Sequence, residues 1–272
     1  MRMLILICLP FFSLSQPMQT LTEKTLNESG LIYTNYVKSN GQVRNYVGGG
    51  FFIKGEYFVT CYHNYTVKPG EKRKSVTVYY HIKLQNGKVS ADSVSAYLDQ
   101  NPLPRMYNFY NHSPVNLQQI SDVIVLRLVR KINTDEIVYC KNNCATDSLI
   151  CFGSIRSGRD QTFRISVCKF LFPYQMDPQY SFSAISGEIS EGFSGSPVFN
   201  KRNELVGMLQ AGWDSVEQLM QKGNLIDIEL SKKRISNHMV DHIKNGYKNN
   251  LKMGSMININ ELKRNYLNGY LK

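Results

Sequence analysis

Between about residues 30 and 230 the chain is a succession of short apolar or alternating runs, each cut off by Gly, Asn, Asp or Pro. Leu31 to Val37, Val43 to Phe52, Tyr57 to Thr60, Ser75 to Leu84, Val123 to Leu128, Leu149 to Phe152, Phe163 to Phe170, Ser181 to Ile189, Pro197 to Phe199, Leu205 to Leu209 and Leu225 to Ile228 read as strands. A period of two sends successive side chains to opposite faces, and many short strands with turn signals between them build a sandwich or a barrel. No internal repeat and no Pro-rich or Ser-rich linker divides this region.

The first fifteen residues stand apart. Arg2 supplies a positive start, Met3 to Phe12 is nearly continuously apolar, and Ser13-Leu14-Ser15 offers small residues at the two positions that signal peptidase reads. The expectation is an export signal cleaved before Gln16, and hence a secreted or periplasmic protein. The apolar run is shorter than the roughly 20 residues that a membrane-spanning helix needs, and no later segment approaches that length. Ile7 before Cys8 is not small, which argues against a lipid-modified cysteine.

The formal charge is +11, which draws attention to acidic partners. The lysines and arginines are spread along the chain, however, with no RNA-binding or helix-turn-helix signature, so a solvated basic surface is preferred and no specific nucleic-acid partner is expected. After the leader, five cysteines remain: Cys61, Cys140, Cys144, Cys151 and Cys168. The spacing C-x3-C-x6-C-x16-C lacks the paired C-x2-C knuckles of structural zinc modules, which leaves one or two disulfides, or buried thiols.

Helical signals come late. Ser231 can cap a helix with Ile235, Met239, His242 and Ile243 on one face, stopped by Asn245-Gly246. Residues 246–272 then read as a basic tail, in which Asn258 and Glu261 resemble a capping box and Leu262, Tyr266 and Tyr270 recur every four residues. This tail is either a docked amphipathic helix or a frayed terminus.

Three segments carry chemistry. Gly192-Phe193-Ser194-Gly195-Ser196-Pro197-Val198 puts glycines on both sides of a serine, which permits a tight turn that aims the hydroxyl outward and lets the Gly192 and Ser194 amides converge. A Gly/Ser-rich turn between strands is the plainer reading of that motif. Gly48-Gly49-Gly50-Phe51-Phe52-Ile53 leads into Tyr57-Phe58-Val59-Thr60-Cys61-Tyr62-His63, a strand pair whose second member ends in a histidine. Ser121-Asp122-Val123-Ile124-Val125-Leu126 sets one carboxylate at the head of an apolar strand, where burial demands a partner. A histidine ring N–H is such a partner.

Together these segments resemble the trypsin-like peptidase superfamily. Its GSGF…TxxH block is similar to Gly48 to His63, its DIALL block to Asp122 to Leu126, its GxSGxP block to Gly192 to Pro197, and its GxVVGI block to Glu204-Leu205-Val206-Gly207-Met208. The resemblance covers roughly residues 30 to 245. It implies an all-β, chymotrypsin-like double β-barrel with a C-terminal helix, the domain occupying 16–245 and its barrels about 30–130 and 140–230. It also implies a serine endopeptidase that acts on protein or peptide substrates through His63, Asp122 and Ser194, with the Gly192 and Ser194 amides as oxyanion hole and no metal or cofactor. Glu188 falls at the pocket-base position and Gln210, Ala211 and Gly212 on the cleft wall, although a solvent-facing Glu188 is preferred.

The departures are informative. Phe193 stands where the pancreatic-type enzymes have an aspartate that captures a freed N-terminus, so activation by that ion pair is excluded. The chain looks closer to the bacterial secreted, HtrA-like branch, although only a short tail follows Gly246 where that branch carries a PDZ domain, so none is expected. The 59 residues from His63 to Asp122 suggest an inserted loop within Tyr79 to Ile120, centred on Asn101 to Asn116. Two rival readings are a catalytically silent binding module of the same fold and a basic surface protein that binds anionic polymers.

Overall fold

The computed structural model describes residues 24–66, 70–85, 88–99, 122–141, 148–157, 160–177, 180–189, 192–213 and 252–271. The proposed leader, Asn101 to Asn116, Leu225 to Ile228 and the helix expected after Ser231 lie outside these residues.

Six strands make a closed antiparallel barrel: β1 (Ser29–Val37), β2 (Val43–Ile53), β3 (Tyr57–Thr60), β4 (Lys72–Gln85), β5 (Lys88–Leu98) and β6 (Ile124–Leu128), in the order β1-β2-β3-β6-β5-β4. Inward residues such as Ile32, Phe52, Phe58, Val78, Val94 and Leu126 fill it. Within Tyr79 to Ile120, where an inserted loop is expected, β4 continues to Gln85 and β5 uses eleven residues as a barrel strand. Its alternation changes phase: Val89 and Ala91 are odd-numbered, whereas the buried Val94 and Ala96 are even-numbered. The β4–β5 pairing shifts register between Tyr80 and Lys83, where β4 carries one extra residue.

The second sheet holds β7 (Val138–Tyr139), β8 (Leu149–Ser157), β9 (Asp160–Asp177), β10 (Tyr180–Gly187), β11 (Pro197–Asn200), β12 (Glu204–Trp213) and β13 (Lys252–Asn258). Their order is β11-β8-β9-β10-β13-β12-β7, and β11 also pairs with β12, so six antiparallel strands close into a ring with β7 parallel alongside β12. The fold is the chymotrypsin-like double barrel.

Two expectations need correcting. The second barrel does not end near residue 230, since β13 lies between β10 and β12. The segment read as a basic tail therefore contains an inner strand. Asn258 forms no side-chain cap; its Oδ1 instead accepts the Ser183 hydroxyl at 2.8 Å, while Glu261 binds Arg264. A short helix, Ile259–Leu262, follows, and the chain returns to the first barrel: Tyr270 donates to Asp99 at 3.0 Å and packs edge-on against Tyr57. Among the described residues, no helix is long and apolar enough to cross a membrane.

One buried cluster joins the barrels, with Phe51, Val59, Cys61 and Val123 from the first and Phe193, Val198, Leu209 and Ile257 from the second. The candidate site sits on this seam.

Candidate active site

His63 lies in a single 3-10 turn, Tyr62–Asn64, immediately after β3 and Cys61. Asp122 precedes β6, the neighbour of β3, so pairing of the two strands brings the residues together across 59 positions of sequence. Asp122 is 3 % exposed. Its Oδ1 accepts the His63 backbone N–H at 2.9 Å, and its Oδ2 lies 2.5 Å from His63 Nδ1. The Tyr62 N–H also binds the Asp122 carbonyl. Burial pulls the imidazole pKa down, but the Asp122 charge and hydrogen bond outweigh it and leave His63 above its ordinary value. The His63 side chain keeps 36 % of its surface exposed.

Ser194 comes from the other barrel, on the turn before β11. The turn presses onto the first barrel through its backbone: the Ser194 carbonyl accepts the Asn64 side-chain amide at 2.7 Å and the Gly49 N–H at 2.9 Å. Gly195 has φ +89°, and a Cβ there would stand 2.3 Å from the Gly49 carbonyl, so only glycine fits. Gly192, with φ +95°, would likewise drive a Cβ to 2.2 Å from the Ser154 carbonyl. Phe193 is fully buried, its ring over Gly153 of β8. An aromatic side chain thus anchors the turn from below, where an ion pair cannot form.

No hydrogen bond among the described residues joins Ser194 Oγ to His63. The Ser194 amide also has no acceptor among them. That donor is unengaged beside a half-buried serine, the disposition that stabilisation of an oxyanion requires.

Gln210, Ala211 and Gly212 lie on β12, directly after Leu209, whose carbonyl accepts the Gly195 N–H at 2.6 Å. Gln210 sits at a register shift between β12 and β13, is fully buried, and has both amide atoms unpaired among the described residues. Glu188 follows β10 and is exposed.

Sequence reasoning missed two residues of the site. Asn64 ties the nucleophile turn to the histidine turn, and Cys61 lies behind Asp122, its thiol near the carbonyls of Leu209 and Gln210 at 3.6 Å. Neither role has a spacing signature. Cys61, His63 and Asp122 hold their ligand atoms within 4.8 Å of one another, a grouping that could in principle take a metal ion. Burial, reinforced by the Asp122 charge, pushes the thiol well above its ordinary pKa, so it keeps its proton and is a poor ligand.

A double barrel with a histidine and a buried aspartate on one half, and a serine in a glycine turn on the other, defines the trypsin-like serine peptidase superfamily. The family model for the trypsin-like peptidase domain matches residues 48–208, and the chain belongs to that family. Its structure is similar to that of the Rv3671c protease from M. tuberculosis. The active form aligns with a TM-score of 0.55 and 14 % identity over 92 % of this chain and 83 % of that one. The inactive form aligns with a TM-score of 0.52 and 13 % identity over 92 % of both chains. No curated protein sequence matches the chain.

Proposed function

We propose that the protein is a secreted serine endopeptidase in which Ser194 is the nucleophile, His63 the general base and Asp122 the residue that fixes the imidazole. The observation that carries this reading is the pairing of His63 Nδ1 with buried Asp122, while the Ser194 backbone is bound to Asn64, the residue next to His63. With Nδ1–H directed at Asp122, the other ring nitrogen is a base. It takes the Ser194 proton as Oγ attacks the peptide carbonyl, and the Gly192 and Ser194 amides receive the oxyanion. His63 then gives the proton to the leaving amine, and water repeats the sequence on the acyl-enzyme. β12 forms the wall along which the substrate lies.

Two observations bear on location and activation. Cys140 is disulfide-bonded, which suits the oxidising compartment implied by the leader-like residues 1–15. Phe193 packing over Gly153 suits a turn that forms without a captured N-terminal amine.

The missing Ser194–His63 hydrogen bond favours one other reading, a silent binding module of the same fold. A fluorophosphonate probe separates the two. The proposal expects labelling at Ser194, abolished in Ser194→Ala together with peptide turnover, which falls by at least about 10³-fold while the fold persists. A folded wild-type protein that takes no label has no activated serine.

A further inference from the structure

The basic residues look scattered in sequence, but the first barrel gathers five of them at one rim. Lys38 follows β1, Arg44 lies in β2, and Lys72, Arg73 and Lys74 open β4. The register places Tyr36 opposite both Arg44 and Arg73, and Val37 opposite both Val43 and Lys72. Across residues 35–47 and 70–76, Glu71 is the single acidic residue.

Arg73 is fixed in place. Its guanidinium lies 3.6 Å from the Tyr65 ring centroid, and its Nε donates to the Tyr65 carbonyl at 3.2 Å. Tyr65 closes the turn that carries His63, through its N–H on the Tyr62 carbonyl. Arg44, Lys72 and Lys74 are exposed around it. The rim also has apolar content: half-buried Tyr46 stacks at 4.6 Å on Tyr36, which is itself buried, and Val43 is 56 % exposed.

We propose that this rim is a docking surface for an acidic, partly apolar segment of the polypeptide substrate, bound beside the catalytic turn. The inference rests on the peptidase reading above and names the class of substrate that reading leaves open. A guanidinium already held by a ring and a carbonyl loses little freedom when it meets a carboxylate, and the net charge of +11 steers anions toward the surface. Half-buried Tyr46 and exposed Val43 offer contact to aliphatic and aromatic side chains, which a sulfated polymer does not carry. Adjacency to the His63 turn places the rim on the path of a chain being cleaved.

The test compares two peptides that differ only in an Asp/Glu run against an Asn/Gln run, cleaved by wild type, Lys72→Gln/Arg73→Gln/Lys74→Gln and Lys38→Gln/Arg44→Gln. In parallel, a fluorescein-labelled acidic peptide is titrated by anisotropy into each protein carrying Ser194→Ala, with a heparin fragment as competitor. Wild type should favour the acidic peptide by about 10-fold in kcat/KM at low salt, and lose the preference near 0.5 M salt. Both variants should lose most of it while cleaving the neutral peptide at the wild-type rate. The Lys38/Arg44 variant changes hairpin residues outside β4, Arg44 exposed and Lys38 half-buried, and guards against a folding defect in the β4 variant. Equal cleavage of both peptides by wild type, or a preference that survives in both variants, overturns the rim. So does heparin binding that the substitutions abolish while peptide preference stays. Should no peptide be cleaved and Ser194 take no probe, the peptidase reading fails, and anisotropy still judges the rim.

Discussion

Asp122 accepts two hydrogen bonds from one partner, the His63 backbone amide and its Nδ1. The first fixes where the histidine turn starts and the second fixes which ring nitrogen holds the proton. The same carboxylate holds His63 above the 6.5 of an ordinary imidazole, against the pull of burial. Protonated His63 cannot accept the serine proton, so activity should rise with pH through that raised pKa. The acid limb of kcat/KM is therefore expected above 6.5, and in Asp122→Asn it should move down while the plateau falls about 10⁴-fold. An acid limb that ignores the substitution would remove Asp122 from this role. His63, Asp122 and Ser194 stood out in the sequence as the proposed triad because each chemistry accepts few residue types and each sits at a strand end or in a glycine turn. Asn64 and Cys61 were invisible, since an amide bound to a carbonyl and a thiol behind a carboxylate depend on strands distant in sequence.

At the scale of elements, β2, β3, β6 and β11 were legible within a residue or two, because each is a short apolar run bounded by turn residues: β6 alternates, while β3, β11 and the second half of β2 are buried almost throughout. β5 was hidden by its phase change, and β13, Lys-Met-Gly-Ser-Met-Ile-Asn, by having no local apolar run of its own. A third element left no sequence signal: residues 24–28 form a helical turn that docks on the β11–β12 turn. Thr25 donates to Asn203 at 3.0 Å, and Asn203 donates to fully buried Glu28 at 2.9 Å. Burial raises the Glu28 pKa from 4.5 to about 7, despite Lys24 and Asn203. The folded state thus holds a proton that the unfolded chain has released between these values. Stability held at low pH is lost as pH rises through about 7, by about 3 kcal/mol. Glu28→Gln should abolish that slope, so chemical denaturation of the two proteins should give a stability difference that changes across pH 4.5 to 7. A difference constant with pH would refute the assignment.

At the scale of the molecule, the two barrels share one buried cluster, and the C-terminal segment runs from the second barrel back to Asp99 and Tyr57 of the first. Neither half holds the site alone, because His63 and Asp122 belong to one and Ser194 to the other. Contacts of such long sequence separation form late in folding. On dilution from denaturant, Ser194 labelling by a fluorophosphonate should therefore appear with the slowest structural phase and show no earlier fraction. Labelling that precedes docking of the barrels would contradict this.

The close approach of Gly49 to the nucleophile turn has a bearing on biosynthesis. A Cβ at Gly49 would stand 2.0 Å from Ser196 Oγ, so the seam closes only with bare Gly49 backbone against the Ser196 side chain. A hydrolase of polypeptides is most dangerous to its own unfinished copies, which are unfolded and present at high local concentration. If Ser194 is the nucleophile and the seam closes last, as proposed above, a nascent chain of this protein should be harmless to its neighbours until it is itself too compact to be cut.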